Sequence, residues 1–207
     1  HGHPPHRRRD ESEVAPFGAG HAATTISAAL GMAQGRDVLG KDNKVVAIIG
    51  DGAMTCGMAY EALNNAGHTD TDFIVVLNDN DMSIAPNVGA MNKYLTGIMT
   101  NPVYNRVRDE VKGLIHKAPG SVRGVMEGLA GRFEEGVKNM FVPGMIFEEL
   151  GFRYVGPVDG HDIDAVVDTL SNVKKMNGPI LVHMITRKGK GYDPAEKDPY
   201  KWHGAKP

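Results

Sequence analysis

With one cysteine, Cys56, this chain of 207 residues cannot form an internal disulfide, so a reducing compartment, the cytoplasm, is expected. No CxxC pair or nucleophile signature surrounds Cys56, which reads as a small packing residue. No apolar run approaches the roughly 20 residues needed to cross a bilayer. The opening HGHPPH is polar and lacks the apolar core of a signal peptide. Charge of one sign is missing too. The net charge is −2 at pH 7, which calls for neither nucleic acid nor a membrane as partner. Arg7-Arg8-Arg9 runs straight into Asp10, Glu11 and Glu13 and reads as a solvated loop. An initiator methionine is also lacking, so the chain is expected to be processed or to be a piece of something longer.

What is present suits a packed globular domain: 41% hydrophobic residues, 23% charged residues and 26 glycines. Glycines near apolar runs suit places where backbone approaches a ligand. Residues 1–16 are polar and broken by prolines, an irregular arm. Small and apolar residues over 21–34 predict a tightly packed helix. The β-branched run over 44–49, ending in Gly50-Asp51-Gly52, predicts a strand buried on both faces. A helix over 54–67 and a second buried strand over 73–77 complete a βαβ unit. Residues 152–156 suggest another strand, 162–176 a helix stopped by Gly178, and 180–185 a further buried strand. The fold class is therefore α/β, a mostly parallel sheet flanked by helices, with 17–207 as one domain. Residues 82–144, interrupted by four prolines, read as a helical and irregular excursion with helices near 104–116 and 122–139.

The chemistry concentrates at two strand ends. Gly50-Asp51-Gly52 and Asn78-Asp79-Asn80 each follow a predicted buried strand, where open α/β sheets place ligands. An Asp carboxylate, an Asn amide oxygen and a backbone carbonyl form a partial shell of hard oxygens. Mg²⁺ accepts such a shell and completes it with phosphate oxygens and water. The glycines let backbone N–H groups approach a phosphate, and the following helix points its positive end there. GDG alone is also ordinary turn sequence. The combination strand–GDG–helix–strand–NDN is far more specific, and it resembles the diphosphate-and-metal fingerprint of thiamine-diphosphate enzymes. That fingerprint usually ends in paired asparagines; here an aspartate intervenes, which leaves the ligand within the loop open.

Further segments narrow the resemblance: GDGAM (50–54), GMAYEA (57–62), NNAG (64–67), LNDNDMSI (77–84), VPG (142–144), FEELGFRY (147–154), GPVDGHD (156–162) and KGKGYDPAEKDP (188–199). Across roughly residues 10–204 the chain resembles the 1-deoxy-D-xylulose-5-phosphate synthase family. The resemblance implies thiamine diphosphate and Mg²⁺ as cofactors, with pyruvate and D-glyceraldehyde 3-phosphate as substrates. It implies Asp51, Asn80 and the Met82 carbonyl as metal ligands, with Gly52 and Ala53 on the diphosphate. His21, Ala23 and Tyr192 would lie near the cofactor, and His203 would be the acid–base group facing the substrates. It also implies a homodimer in the complete enzyme and pyrimidine-binding and C-terminal domains beyond this chain, so that the chain is inactive alone.

Each assignment has a plainer alternative. His21 could simply open a helix, and Tyr192 with Lys190 could form a glycine-rich surface turn. His161 and His183 are expected to be structural, and Glu148-Glu149 a solvated helix face. Where the family reads Gly-His-Ser-Ser, this chain has Gly20-His21-Ala22-Ala23, losing hydroxyls that would each contribute about 0.5–1.5 kcal/mol. That change lends support to a non-catalytic binding module as the alternative; one half of a split enzyme is a third reading.

Overall fold

The computed structural model describes residues 17–80, 82, 89–90, 93–94 and 144–203. The arm expected at 1–16 lies outside those residues, as does nearly all of the excursion expected at 82–144, including its two helices. The chain divides into two compact units, residues 1–92 with 146–207, and residues 93–145. In the second, the Tyr94 hydroxyl accepts a hydrogen bond from the Gly144 N–H at 3.0 Å. The sheet belongs to the first.

Its elements run α1 (Thr25–Val38), β1 (Val46–Gly50), α2 (Asp51–Met54), α3 (Gly57–Thr69), β2 (Phe73–Asp79), α4 (Met145–Glu149), β3 (Arg153–Asp159), α5 (Ile163–Val173), β4 (Pro179–Ile185) and α6 (Asp193–Lys197). Every strand pair is parallel, in the order β1-β2-β4-β3. The fold is thus the α/β class read from the sequence, and no helix among the described residues is long and apolar enough to cross a membrane.

Pairing register sorts the side chains onto two faces. Ile74 and Val76 of β2 align with Ile180 and Val182 of β4, and pack with Met184 and with Val173 of α5. Phe73, Val75 and Leu77 point the other way, as do Leu181 and His183, since successive strand residues alternate between faces. Ile26, Leu30 and Ala33 of α1 and Ala59, Leu63 and Ala66 of α3 are buried too. Each large apolar side chain so buried contributes roughly 1.5–3 kcal/mol.

β1 departs from expectation. Ala47 and Ile49 are buried, but Val46 and Ile48 are 48% and 60% exposed. Val46 pairs with Ile74, which places Val46 and Ile48 on the face that α5 packs against further along the sheet. β1 is the outermost strand of the described sheet, and on that face it is open. Two helical segments replace the one expected over 54–67. The Thr55 hydroxyl donates to the Gly52 carbonyl at 2.7 Å and closes α2 after one turn. Cys56 then takes an extended conformation ahead of α3 and is exposed, not packed. α1 starts at Thr25, four residues later than expected, after a turn in which Ala23 has φ 67°.

Glycine has a specific role where α3 meets the turn after α4. A methyl group on Gly67 would sit 1.6 Å from the Leu150 carbonyl oxygen, so only glycine permits that contact. At the opposite end of the sheet from Asp51, the buried Arg36 donates to the Asn43 and Asp72 carbonyls at 3.2 and 2.9 Å, tying α1 to the segments that enter β1 and β2.

Candidate functional site

Four parallel strands deliver their carboxyl ends to one edge of the sheet. Gly50 pairs with Asn78 on the last rung between β1 and β2, and Asp79 with Ile185 on the last rung between β2 and β4. Asp51 leaves β1 one residue past its rung, and its carboxyl shares a hydrogen bond with that of Asp79. Both are buried, at 3% and 2% exposure. Burial first, then the charge of Asp79, pushes Asp51 up to about 6, while the backbone N–H groups of Gly52 and of Asp51 itself pull the other way. Two contacting carboxyl groups away from water favour a bound proton or a cation.

The loop after β2 is held from two sides. The Thr186 hydroxyl donates to the Asn78 side-chain oxygen at 2.8 Å, and the Thr186 N–H to the Asp79 carbonyl at 2.8 Å. Half-buried Asn80 follows, its Oδ1 accepting the Met82 N–H at 3.1 Å, so Asn80 and Met82 share one tight turn. Gly52 and Ala53 lie in α2, whose four residues supply a weaker helix field than the sequence suggested.

The segment after β4 carries a cation that feels the charge of Asp51. Burial lowers the Lys188 ammonium, and the charge of Asp51 opposes that by holding the proton on. Its Nζ hydrogen-bonds His203 Nδ1. Tyr192, which precedes α6, is half exposed and meets Trp202 edge-on, with ring centroids 5.2 Å apart. His203 is exposed. The structure therefore pairs Asp51 with Asp79, next to Asn80 in the chain, and pairs Lys188 with His203 within range of the charge of Asp51. His21 and Ala23 sit in the turn before α1, exposed and buried respectively, with the His21 carbonyl accepting the Thr24 hydroxyl. His161, expected to be structural, accepts the Arg187 N–H on its Nε2 at 2.7 Å.

Asp79, Lys188, His183 and Tyr154 make contacts at this edge that the sequence reading did not assign. One signal was present, a histidine inside the otherwise apolar run ILVHMI, because a buried polar group needs partners. His183 finds them in Asp79 Oδ2, 2.9 Å from Nε2, and in the Tyr154 hydroxyl, 2.7 Å from Nδ1. Among the described residues no cluster of three or more His, Cys, Asp or Glu side chains could hold a metal ion. A cation here would take one carboxylate and complete its shell with amide, carbonyl and ligand oxygens.

Comparison with known proteins places this geometry in context. A family model described as 1-deoxy-D-xylulose-5-phosphate synthase matches residues 1–186. A relative from Syntrophomonas wolfei bearing that name is 55% identical over 198 residues, covering 96% of this chain and 31% of its own length. One from Aquifex aeolicus is 54% identical over 202 residues, covering 97% of this chain and 32% of its own. The chain thus spans about a third of the length of these relatives. A solved chain from Mycobacterium smegmatis, a candidate thiamin diphosphate-dependent enzyme, matches 80% of this chain and 22% of its own. Its 20% identity and TM-score of 0.45 are too slight to carry an argument.

Proposed function

As a member of the 1-deoxy-D-xylulose-5-phosphate synthase family, the chain is, we propose, the Mg²⁺- and diphosphate-binding part of a thiamine-diphosphate-dependent transferase. That enzyme joins pyruvate to D-glyceraldehyde 3-phosphate, releasing CO₂ and giving 1-deoxy-D-xylulose 5-phosphate. The observation that carries the proposal is the buried contact between the Asp51 and Asp79 carboxyls at the carboxyl edge of a parallel sheet.

The residues fit such a cofactor. A divalent cation offsets the charge that burial and Asp79 make costly at Asp51. Asp51, Asn80 and the Met82 carbonyl would hold Mg²⁺ through oxygen, the donor it favours. Side chains of all three loop residues are engaged, Asn78 by Thr186, Asp79 by His183 and Asn80 by the Met82 N–H, and Asn80 is assigned to the metal by resemblance. Gly52 and Ala53 are assigned to the diphosphate by resemblance, the Gly52 N–H being turned on the Asp51 carboxyl here, and the Lys188 ammonium, which feels the charge of Asp51, would add positive charge to the site. His21, Ala23 and Tyr192 are assigned to the cofactor by resemblance. When bound, the thiazolium of thiamine diphosphate supplies the electron sink for decarboxylation. His203, oriented through Nδ1 by Lys188, is assigned proton transfer to the substrates. Pyrimidine-binding and C-terminal domains and a homodimer belong to the same reading, and residues 1–207 alone are expected to give no turnover.

Calorimetric titration with thiamine diphosphate, with and without Mg²⁺, tests the proposal. Binding that requires Mg²⁺ supports it. Binding indifferent to Mg²⁺ contradicts it, and no binding at all favours a non-catalytic module, the reading that Ala22-Ala23 recommends.

A further inference from the structure

We propose that Tyr154, His183 and Asp79 form a hydrogen-bonded strut that crosses the sheet and positions the Asp51 carboxyl for its cation, a proposal that rests on the reading of the site above. The three contribute in strand order. Tyr154 lies on β3, His183 on β4 and Asp79 on β2, and Asp51 follows directly from β1, which is the spatial order of the sheet read from its far edge. Register puts all three side chains on one face, since Tyr154 pairs with Leu181, His183 with Leu77, and Asp79 lies two residues beyond Leu77. Tyr154 OH meets His183 Nδ1 at 2.7 Å, His183 Nε2 meets Asp79 Oδ2 at 2.9 Å, and the Asp79 carboxyl shares its hydrogen bond with Asp51.

Burial makes this arrangement more than incidental. His183 is fully buried, and Tyr154 and Asp79 are 5% and 2% exposed. Polar side chains in such surroundings are costly unless every partner is in place, and apolar residues would fill the same positions with no such requirement. A neutral imidazole satisfies both bonds at once, with Nδ1 accepting from the phenol and Nε2–H donating to the carboxylate. That pattern fixes the ring and holds Asp79 Oδ2 on the histidine, which sets the direction of the carboxyl that meets Asp51. Packing locks the strut mechanically as well. The Phe147 ring stacks on Tyr154 at a centroid distance of 6.3 Å. Gly156, at φ 137°, leaves no room beside His183: a methyl there would lie 2.7 Å from its carbonyl oxygen. Partners one step removed from a metal ligand commonly set metal affinity by 10–100-fold. These three are positioning residues, since they would touch neither cofactor nor substrate.

The test is the Mg²⁺ concentration giving half-maximal thiamine diphosphate binding by the full chain, measured calorimetrically beside the melting temperature. Tyr154→Phe keeps the stacked ring and is expected to raise that concentration about 3–10-fold; His183→Leu is expected to raise it about tenfold or more, with His183→Gln recovering part of the loss. Val173→Ala, in the core on the opposite face, is expected to lower the melting temperature without moving the Mg²⁺ midpoint. Should His183→Leu not fold, Tyr154→Phe carries the test alone. Wild-type Mg²⁺ midpoints in Tyr154→Phe and His183→Gln, with melting lowered as in Val173→Ala, would overturn the strut and leave the trio a packing element. Mg²⁺-independent binding by the unmodified protein would instead refute the site itself.

Discussion

Replacing Asp51 by asparagine is expected to stabilise the cation-free protein while abolishing what the residue is for. Asp51 is 3% exposed and pushed from an ordinary 3.8 to about 6, by burial first and by Asp79 second. A two-unit rise corresponds to about 3 kcal/mol between its protonation states. The sign follows from which state holds the proton more tightly. Between pH 4 and 6 the folded chain keeps a proton that the unfolded chain has released, so stability falls as pH rises through that window. Below about pH 4 both states are protonated and the penalty is gone; above about pH 6 it is fully present. Asparagine carries no charge at any of these pH values. At pH 8 without Mg²⁺ the variant should therefore be more stable by about 1–3 kcal/mol, a melting shift of roughly 2–4 °C per kcal/mol for a chain of this size. At pH 4 the two should coincide. With Mg²⁺ and thiamine diphosphate at a hundred times their dissociation constant, the unmodified protein should gain about 2.7 kcal/mol, and the variant little, so the order reverses. Thermal unfolding followed by circular dichroism from pH 4 to 8, with and without ligand, reads all of this. An asparagine variant less stable at pH 8 without cation, or equal offsets at every pH, would refute the like-charge reasoning.

Two further expectations concern the frame around the site. The Tyr60 hydroxyl is buried without a hydrogen-bond partner among the described residues, and burial raises its pKa, so Tyr60→Phe should stabilise the chain by about 1 kcal/mol in denaturant titrations. Gly67→Ala should destabilise it by roughly 1–3 kcal/mol or more, because its methyl group collides with the Leu150 carbonyl. Gly31→Ala, in α1 with open space around it, should instead gain about 0.5–1 kcal/mol. Equal effects at the two glycines would contradict the close-contact account.

The strands around the site were legible because continuous β-branched runs bounded by glycine have few other readings. β2 and β4 emerged as expected, buried on both faces. β1 carries the same kind of run, yet one face of it is open. Apolar character records what a strand can bury, not which neighbours arrive, and only tertiary pairing put β1 at the edge. The site shows the same division. Asp51 and Asn80 could be read from spacing past two strand ends, because parallel strands align their carboxyl ends. Asp79 could not, since its role depends on β4 lying beside β2 and bringing His183 within 2.9 Å. Lys188 comes under the charge of Asp51 for the same reason: β4 sits inside the sheet, beside β2, and Lys188 follows shortly after it. The break after α2 leaves little trace in the sequence because it rests on one local turn, closed by the Thr55 hydroxyl and N–H on the Gly52 carbonyl and by the Cys56 N–H on the Ala53 carbonyl.

The most direct test of the metal site is electron paramagnetic resonance with Mn²⁺ in place of Mg²⁺, titrated into the protein with thiamine diphosphate present. One tightly held Mn²⁺ per chain is expected, lost on removing the diphosphate and in both Asp51→Asn and Asn80→Ala. Mn²⁺ held as tightly in both variants as in the unmodified protein would show that the ion, wherever it binds, is not held between these two strand ends.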